Sequence, residues 1–595
     1  MKKDNTKTNK FLYCLLLPMR STPFIYIIYL AFNLICALFP TLEIILWKNI
    51  LDSIQSIVFV DSMYSHLILL FVMYMLVSIS VRLAESIKNV IEVRLVEKIQ
   101  LYVDLEIMQQ YNKLDAEYFD NPTNMDNLDV VKNSKMTISE GVLWPAKIIK
   151  SLGNFILVAG VFFVFSPIVA VVYIIFSLPQ AISTMKLETD LNQNDINSML
   201  EQRRKEYNKS ILIDKKYAKD TRIYESKKYF TDKYCTEWRK ILQKKNYIYK
   251  TSYIKIYRNE LLHSFGYLFA IISTLVKAIN GSISIGDISI ILNATKSCSD
   301  AFNELFDSYS QFVKVTSKRV ELYLNFLEME PSLKNGSLIC PMEFEVEFRN
   351  VFFKYPTEKD YTLEDISFHI KPGTKNAIVG KNGEGKSTII KLLLRLYDPD
   401  EGIILIDGID IKDYDLVNLR ARFSSCFQEV PQYALTVEEN ITFLENGINI
   451  SELDYAADFS GIKLKVDSFG SRYKTELTKE FSLEGEELSG GQWQQLAITR
   501  ALYRKSNFLV MDEPSSALDP LTEDNVMNLL SVLSEDRTNL IISHRLSNLQ
   551  KYDQIIVLNN KTIEEIGTHD ILISNEKLYA KMYRLQSQKY KEAQA

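Results

Sequence analysis

The chain has 595 residues, 47% of them apolar, with 69 Lys and Arg against 74 Asp and Glu and a formal net charge of −5. That length exceeds a single hydrophobic core, so two or more domains are expected, and the acidic balance speaks against a nucleic-acid partner. The cysteines (Cys14, Cys36, Cys235, Cys298, Cys340 and Cys426) are scattered without C-x-x-C or metal-ligand spacing, which sets aside a disulfide frame and a zinc site.

Apolar runs dominate before residue 310. Six are long enough, or nearly so, to cross about 30 Å of hydrocarbon at roughly 20 residues each. They lie near 23–47, 64–86, 143–165, 167–184, 259–279 and 284–308. Ser166-Pro167 separates the third from the fourth, and Asn280-Gly281-Ser282 joins the fifth to the sixth, so both pairs are tight hairpins. The N-terminal run is long and no small-residue cleavage site follows it closely, so no cleavable signal peptide is expected. Region 185–258 carries an excess of basic residues, including Arg203-Arg204-Lys205, Lys215-Lys216 and Lys244-Lys245, and the N-terminus adds Lys2, Lys3, Lys7, Lys10 and Arg20. The positive-inside rule therefore places both termini and two long loops, about 87–142 and 185–258, in the cytoplasm. Those loops keep helical periodicity, which predicts membrane helices running on into the cytosol. The fold class expected for residues 1–335 is thus an α-helical six-span transmembrane bundle in a lipid bilayer. Buried helices of a soluble protein are the alternative, and the uniformly apolar 64–86 argues against it.

Within the sixth run, Asp300, Glu304 and Asp307 recur at helical spacing and share one face. Ionisable groups at membrane depth line cavities or pathways, which predicts a cation-favouring inner cavity suited to a basic peptide. The rival reading is that this stretch has already left the bilayer and is wet. Glu43, near the outer end of the first run, carries the same two readings.

From about residue 343 to 585 strand and helix alternate, which predicts an α/β domain, and the phosphate-binding loop within it makes that a P-loop ATPase domain. Val346-Phe348 and Val351-Phe353 open it, and Asn376-Val379 leads into Gly380-Lys381-Asn382-Gly383-Glu384-Gly385-Lys386-Ser387-Thr388, the phosphate-binding pattern G-x-x-x-x-G-K-[ST]. The glycines let backbone N–H groups cradle phosphate, and the following helix N-terminus adds partial positive charge. Gly380, Asn382, Gly383, Gly385 and Thr388 belong to that cradle. Lys386 reaches the β- and γ-phosphates, and the Ser387 hydroxyl completes a Mg²⁺ site. Leu488-Ser489-Gly490-Gly491-Gln492 opens a second helical run from Trp493 to Leu502 and forms a second anion-binding N-terminus. Further on, Asn507-Phe508-Leu509-Val510-Met511-Asp512-Glu513 is a buried-strand pattern ending in two carboxylates beside the P-loop. Asp512 would hold Mg²⁺ through water, and Glu513 would orient or deprotonate the attacking water.

Leu488-Ser489-Gly490-Gly491-Gln492 in this position resembles the signature of the ATP-binding cassette (ABC) transporter ATPases, and the rest of that family's set follows in order. Tyr355 resembles the aromatic residue that stacks on adenine. Gln428 resembles the glutamine that senses Mg²⁺ and contacts the membrane domain. Ser516-Ala517-Leu518-Asp519 resembles the D-loop, and His544 the switch histidine near the γ-phosphate. The resemblance implies that two ATPase domains join head to tail, each ATP lying between one P-loop and the partner's signature around Ser489. One membrane domain with one ATPase domain is then a half-transporter, which needs a second half. The intact signature and Glu513 favour a homodimer; a heterodimer with a degenerate partner is the alternative.

The membrane-first order resembles ABC exporters in the cytoplasmic membrane of bacteria, with the ATPase in the cytoplasm. Tyr118-Phe119-Asp120-Asn121-Pro122 and Asp214-Lys215-Lys216-Tyr217-Ala218-Lys219-Asp220 resemble the coupling helices of such exporters, against the plainer reading of amphipathic cytosolic turns. Two departures mark the chain. Thr475-Glu476-Leu477-Thr478-Lys479-Glu480-Phe481 lacks a glycine-containing loop usual in exporters, and Trp493 stands where arginine is usual. Both look like the lanthipeptide and bacteriocin exporters of Gram-positive bacteria, implying a peptide or other amphipathic cargo. A multidrug or lipid exporter of the same type is the runner-up. The N-terminal peptidase domain of some peptide exporters, about 150 residues, does not fit before residue 23. Cys14 therefore reads as a membrane-proximal apolar cysteine. A soluble ABC ATPase needs no membrane runs and is set aside.

Overall fold

The computed structural model describes residue 13 and residues 16–57, 64–316, 318–444, 447–515 and 537–592. It divides into two compact units, Met1–Asn112 with Asp126–Met329, and Lys113–Met125 with Glu330–Ala595.

The first unit is helical. Among its described residues, five helices are long and apolar enough to cross a membrane, within Pro23–Ser56, Tyr64–Lys113, Lys135–Val164, Pro167–Asn197 and Lys227–Ile279. Helices Tyr64–Lys113 and Lys227–Ile279 have 50 and 53 residues. At 1.5 Å per residue each spans about 75–80 Å, far beyond one hydrocarbon layer. On the first of these, Ile68, Leu69, Phe71, Val72, Met73, Met75, Leu76 and Ile79 are all exposed. An apolar surface on every side suits lipid and would be an aggregation hazard in water. The inner core joins Val158, Phe162, Ala170, Tyr173, Ala270, Ile291 and Ala294. Small residues there let helices approach closely: a Cβ on Gly266 would lie 2.8 Å from Phe176 Cβ.

The sixth predicted span is a helix, Ile285–Thr316, but it is not among the five apolar enough to cross. It buries Ile290, Ile291, Ala294, Cys298 and Ala301 and carries Asp287, Lys296, Asp300, Glu304 and Asp307. A helix packed inside a bundle needs one apolar face only, so its average hydropathy is low.

The second unit contains two sheets among its described residues. Strands β1 (Val346–Phe353), β2 (Leu363–Ile370), β4 (Glu401–Ile406) and β5 (Ile409–Asp410) form an antiparallel sheet in the order β2-β1-β4-β5. The other runs β10-β9-β3-β8-β7-β6, with β3 (Lys375–Gly380), β6 (Phe423–Cys426), β7 (Phe508–Asp512), β8 (Thr538–Ile542), β9 (Gln554–Asn559) and β10 (Thr562–Gly567). All neighbours from β9 to β6 are parallel. Strands β7 and β8 are buried throughout, which explains the apolar runs Phe508–Met511 and Leu540–Ile542 within them. Because β3, β7 and β8 are parallel neighbours, the residues leaving their C-terminal ends converge at one edge: Gly380, Asp512-Glu513 and Ser543-His544.

Candidate functional site

Strand β3 feeds the P-loop, and helix Lys386–Leu393 leaves it with Gly385 at the N-cap. Gly385 has φ +88°, and a Cβ there would lie 2.5 Å from Leu363 Cδ2 and 3.0 Å from Thr362 O. Only glycine fits both the conformation and the space. Gly383 (φ +83°) instead faces open space. Lys386 is 6% exposed, and its Nζ donates to the carbonyls of Gly380 (3.1 Å) and Lys381 (2.8 Å). Burial draws its ammonium below the usual lysine range, against the pull of Glu513 and Asp512. A cleft of about 390 Å³ opens over this loop, lined by Thr362, Asn382, Gly383, Gly385, Lys386, Ser387, Thr388, Gln428 and Glu513.

Asp512 ends β7 at 4% exposure, and its Oδ1 is buried with no hydrogen-bond partner. Burial raises its pKa, with the Ser387 hydroxyl and Lys386 opposing the rise. An unpaired buried carboxylate oxygen next to a P-loop serine is an oxygen donor set suited to a hard divalent ion, so these residues fit Mg²⁺. Together the loop amides, Lys386 and this oxygen fit a magnesium–nucleotide phosphate.

Glu513 follows with φ +48°, a conformation uncommon for a side-chain-bearing residue, and its N–H donates to Ile542 O at 3.1 Å. That turn swings the carboxylate between two partners. Oε1 lies 2.6 Å from His544 Nε2, and Oε2 accepts from Gln428 Nε2 at 3.0 Å. The structure thus brings Glu513, expected to act on the attacking water, together with the glutamine expected to sense Mg²⁺ and the histidine expected near the γ-phosphate. A further residue was missed by sequence reasoning. Gln586, on helix Leu578–Glu592, donates to His544 O at 2.6 Å and accepts from Leu546 N at 3.1 Å, fixing the histidine's backbone. A glutamine in an amphipathic terminal helix carries no signal for that role.

Tyr355 packs edge-on against Phe353 and Tyr397, and its hydroxyl lies 3.1 Å from Thr388 Oγ1. It is therefore anchored to the helix that the P-loop opens. Ser489 caps helix Gly490–Tyr503: its Oγ accepts from Gln492 N at 3.3 Å while Gln492 Oε1 accepts from Ser489 N at 2.9 Å. Ser489 and Gly490 are exposed, Gly491 and Gln492 half-buried, and none of the four lines the cleft described above. Trp493, one step on, is 2% exposed and packs with Val437, Leu453, Leu477 and Leu496. Arginine could not take that place without burying its charge. In the loop that lacks the usual glycines, Leu477 is buried while Phe481 and Leu483 are exposed. Asp519 and Cys14 lie outside the described residues.

Of the two segments resembling coupling helices, the first falls within the ATPase unit. Ala116–Asp120 is a short helix whose entry residue, Asp115, accepts from Leu333 N at 2.9 Å and Ser332 Oγ at 3.2 Å. Glu117 accepts from Ser332 Oγ at 2.8 Å, and Tyr397 donates its hydroxyl to Asp120. The second comprises a 3₁₀ turn, Lys215–Tyr217, and helix Ala218–Ile223 in the membrane unit, flanked by exposed Ile213, Ile223 and Tyr224. Of the acids on the sixth run, Glu304 pairs with Lys150 at 2.7 Å, whereas Asp300 and Asp307 are exposed. Glu43 is half-buried.

Residues 363–516 match the family described as ABC transporter. The chain is 28% identical over 577 residues to the subtilin transport ATP-binding protein SpaT of Bacillus subtilis, covering 93% of this chain and 90% of that protein. It is 33% identical to the ATP-dependent lipid A-core flippases of Photobacterium profundum, over 55% of each chain, and of Haemophilus influenzae, over 51% of each. Among solved structures, a bacterial Atm1-family ABC exporter with ATP bound aligns with TM-score 0.77 at 21% identity, over 94% of this chain and 98% of that one. That likeness gives the fold.

Proposed function

We propose that this ABC exporter, whose single chain fuses a helical membrane region to an ABC ATPase domain, moves a peptide out of the bacterial cytoplasm. The peptide is of the lanthipeptide or bacteriocin precursor kind. The chain is an ATP hydrolase coupled to transport. The cargo reading is carried by one observation: the likeness to the subtilin transport protein spans 93% of this chain and therefore includes its membrane helices. Those helices form the cavity that selects cargo. A lipid is the second reading, favoured by 33% identity to lipid A-core flippases, but that likeness covers only 55% of the chain.

In this reading Ile285–Thr316 is the sixth crossing, and the ATPase domain is cytoplasmic. Lys386 and the P-loop amides hold ATP phosphates, while Ser387 and Asp512 hold Mg²⁺ with Gln428 at its edge. When bound, Mg²⁺ would supply positive charge against the phosphate oxygens. Glu513 receives the proton of the attacking water, held in place by Gln428 and His544. Tyr355 stacks on adenine. Ser489, Gly490, Gly491 and Gln492, none of which lines the cleft of their own chain, complete the ATP site of a second copy of the chain, together with Asp519. The test is ATP hydrolysis by the full chain in lipid discs against leader peptides, matured peptides, lipids and hydrophobic drugs. Stimulation by leader peptides supports peptide export; stimulation by lipids or dyes alone would replace it with the second reading.

A further inference from the structure

Two acids of the membrane-spanning helices are paired: Glu92 with Lys147 at 2.6 Å, and Glu304 with Lys150 at 2.7 Å. Glu188, on helix Pro167–Asn197, and Asp307, on Ile285–Thr316, have no cationic partner among the described residues, as Glu43, Glu85 and Asp300 have none; what sets these two apart is their place. Both line one cleft of about 230 Å³ between those two helices, together with Gln180, Asn303, Phe306 and Ser310. A water molecule occupies about 30 Å³, so the space admits the end of a lysine or arginine side chain with some water.

Ser310 supplies an independent sign. It is 2% exposed, yet its Oγ has no hydrogen-bond partner. Other buried hydroxyls of the same helices return to their own backbone: Ser177 donates to Tyr173 O at 2.7 Å and Thr295 to Ile291 O at 2.6 Å. A buried hydroxyl left unmade beside two uncompensated carboxylates indicates a missing donor, and an ammonium or guanidinium supplies several. The Phe306 ring in the lining adds an electron-rich face for a cation.

We propose that this cleft binds a cationic side chain, lysine or arginine, of the peptide to be exported, through Glu188, Asp307 and Ser310. The proposal rests on the peptide-export reading above. The cleft lies near the inner ends of the runs at 167–184 and 284–308, where a cytosolic substrate would first meet the bundle.

The test uses the full chain in phosphatidylcholine discs and a lysine-bearing synthetic peptide beside its Nε-acetylated counterpart, which differs only in charge. The wild type should bind the lysine peptide at least about tenfold more tightly. That preference should vanish in Glu188→Gln/Asp307→Asn and persist in Glu188→Asp, which keeps the charge and reports that the site has folded. A wild type without preference overturns the site and leaves peptide export standing. A preference that survives in the double variant places the cation elsewhere and also overturns it. Binding of neither peptide overturns the peptide reading and the site with it. Loss of the preference on adding phosphatidylethanolamine would assign the cleft to an aminolipid headgroup instead.

Discussion

Glu513 Oε1 and His544 Nε2 stand 2.6 Å apart across the ends of neighbouring parallel strands β7 and β8. Gln428 holds the other carboxylate oxygen, so the group is oriented from both sides, as the proposed role of accepting a proton from the attacking water requires. Glu513→Gln keeps the shape but removes that capacity. Phosphate release should fall about 10²- to 10⁴-fold while MgATP binding persists, and the variant should accumulate as a nucleotide-loaded dimer. Filter binding and single-turnover hydrolysis on the same sample check it. Normal turnover would show that another group takes the proton.

Asp512 gives a prediction of opposite sign for stability. Its carboxyl binds a proton more tightly when folded than when unfolded, because burial raises its pKa above the ordinary value near 3.9. Stability therefore falls as pH rises from that ordinary value to the raised one, and above that window the full cost persists. Asp512→Asn removes the buried charge. Without nucleotide it should melt a few degrees higher than the wild type at neutral pH, an advantage that fades on acidification. The further stabilisation that Mg²⁺ adds to bound ATP should vanish. Thermal unfolding with ATP plus EDTA, MgATP or neither decides it, and a lower midpoint for the free variant at neutral pH would refute the burial argument.

Ser489 has two tasks that can be separated. As an N-cap it satisfies Gln492 N, and Ser489→Ala should cost about 1 kcal/mol of ATPase-domain stability. Aspartate caps as well as serine and suits the helix dipole. Ser489→Asp should therefore keep the melting temperature yet abolish hydrolysis, because its charge would meet the γ-phosphate of the partner's ATP. Turnover in that variant comparable to the wild type would remove the signature from the composite site.

Local pattern made the P-loop and the β7 carboxylates legible, since strand, loop and helix are contiguous and the chemistry sits at their junctions. Trp493 was noticed only as a departure; its reason, burial against Val437 and Leu496, needed the packing. Average hydropathy undercounts Ile285–Thr316, whose polar face turns away from its apolar row. Contacts distant in sequence leave no periodic trace. Gln586 reaches His544 from 42 residues away, and Tyr397 reaches Asp120 across 277.

That last contact carries the final prediction. Residues 113–125 pack as part of the ATPase unit, and the Tyr397 hydroxyl binds Asp120 at the end of helix Ala116–Asp120. Burial, with the adjacent carboxylate, raises the tyrosine's pKa, so it remains a donor at physiological pH. Tyr397→Phe deletes the hydroxyl and leaves the ring on Phe353 and Tyr355. The loss should be about 1.5–3 kcal/mol, the range for hydrogen bonds to charged groups. Asp120→Ala should cost a similar amount, and the double variant little more, since both remove one interaction. If the segment transmits membrane-domain events, substrate stimulation of ATP hydrolysis should weaken in either single variant while the unstimulated rate stays near wild type. Measuring both rates in discs separates the roles: unchanged stimulation would leave Tyr397 a purely structural partner, and a lost basal rate would place the effect at the nucleotide site, through Tyr355.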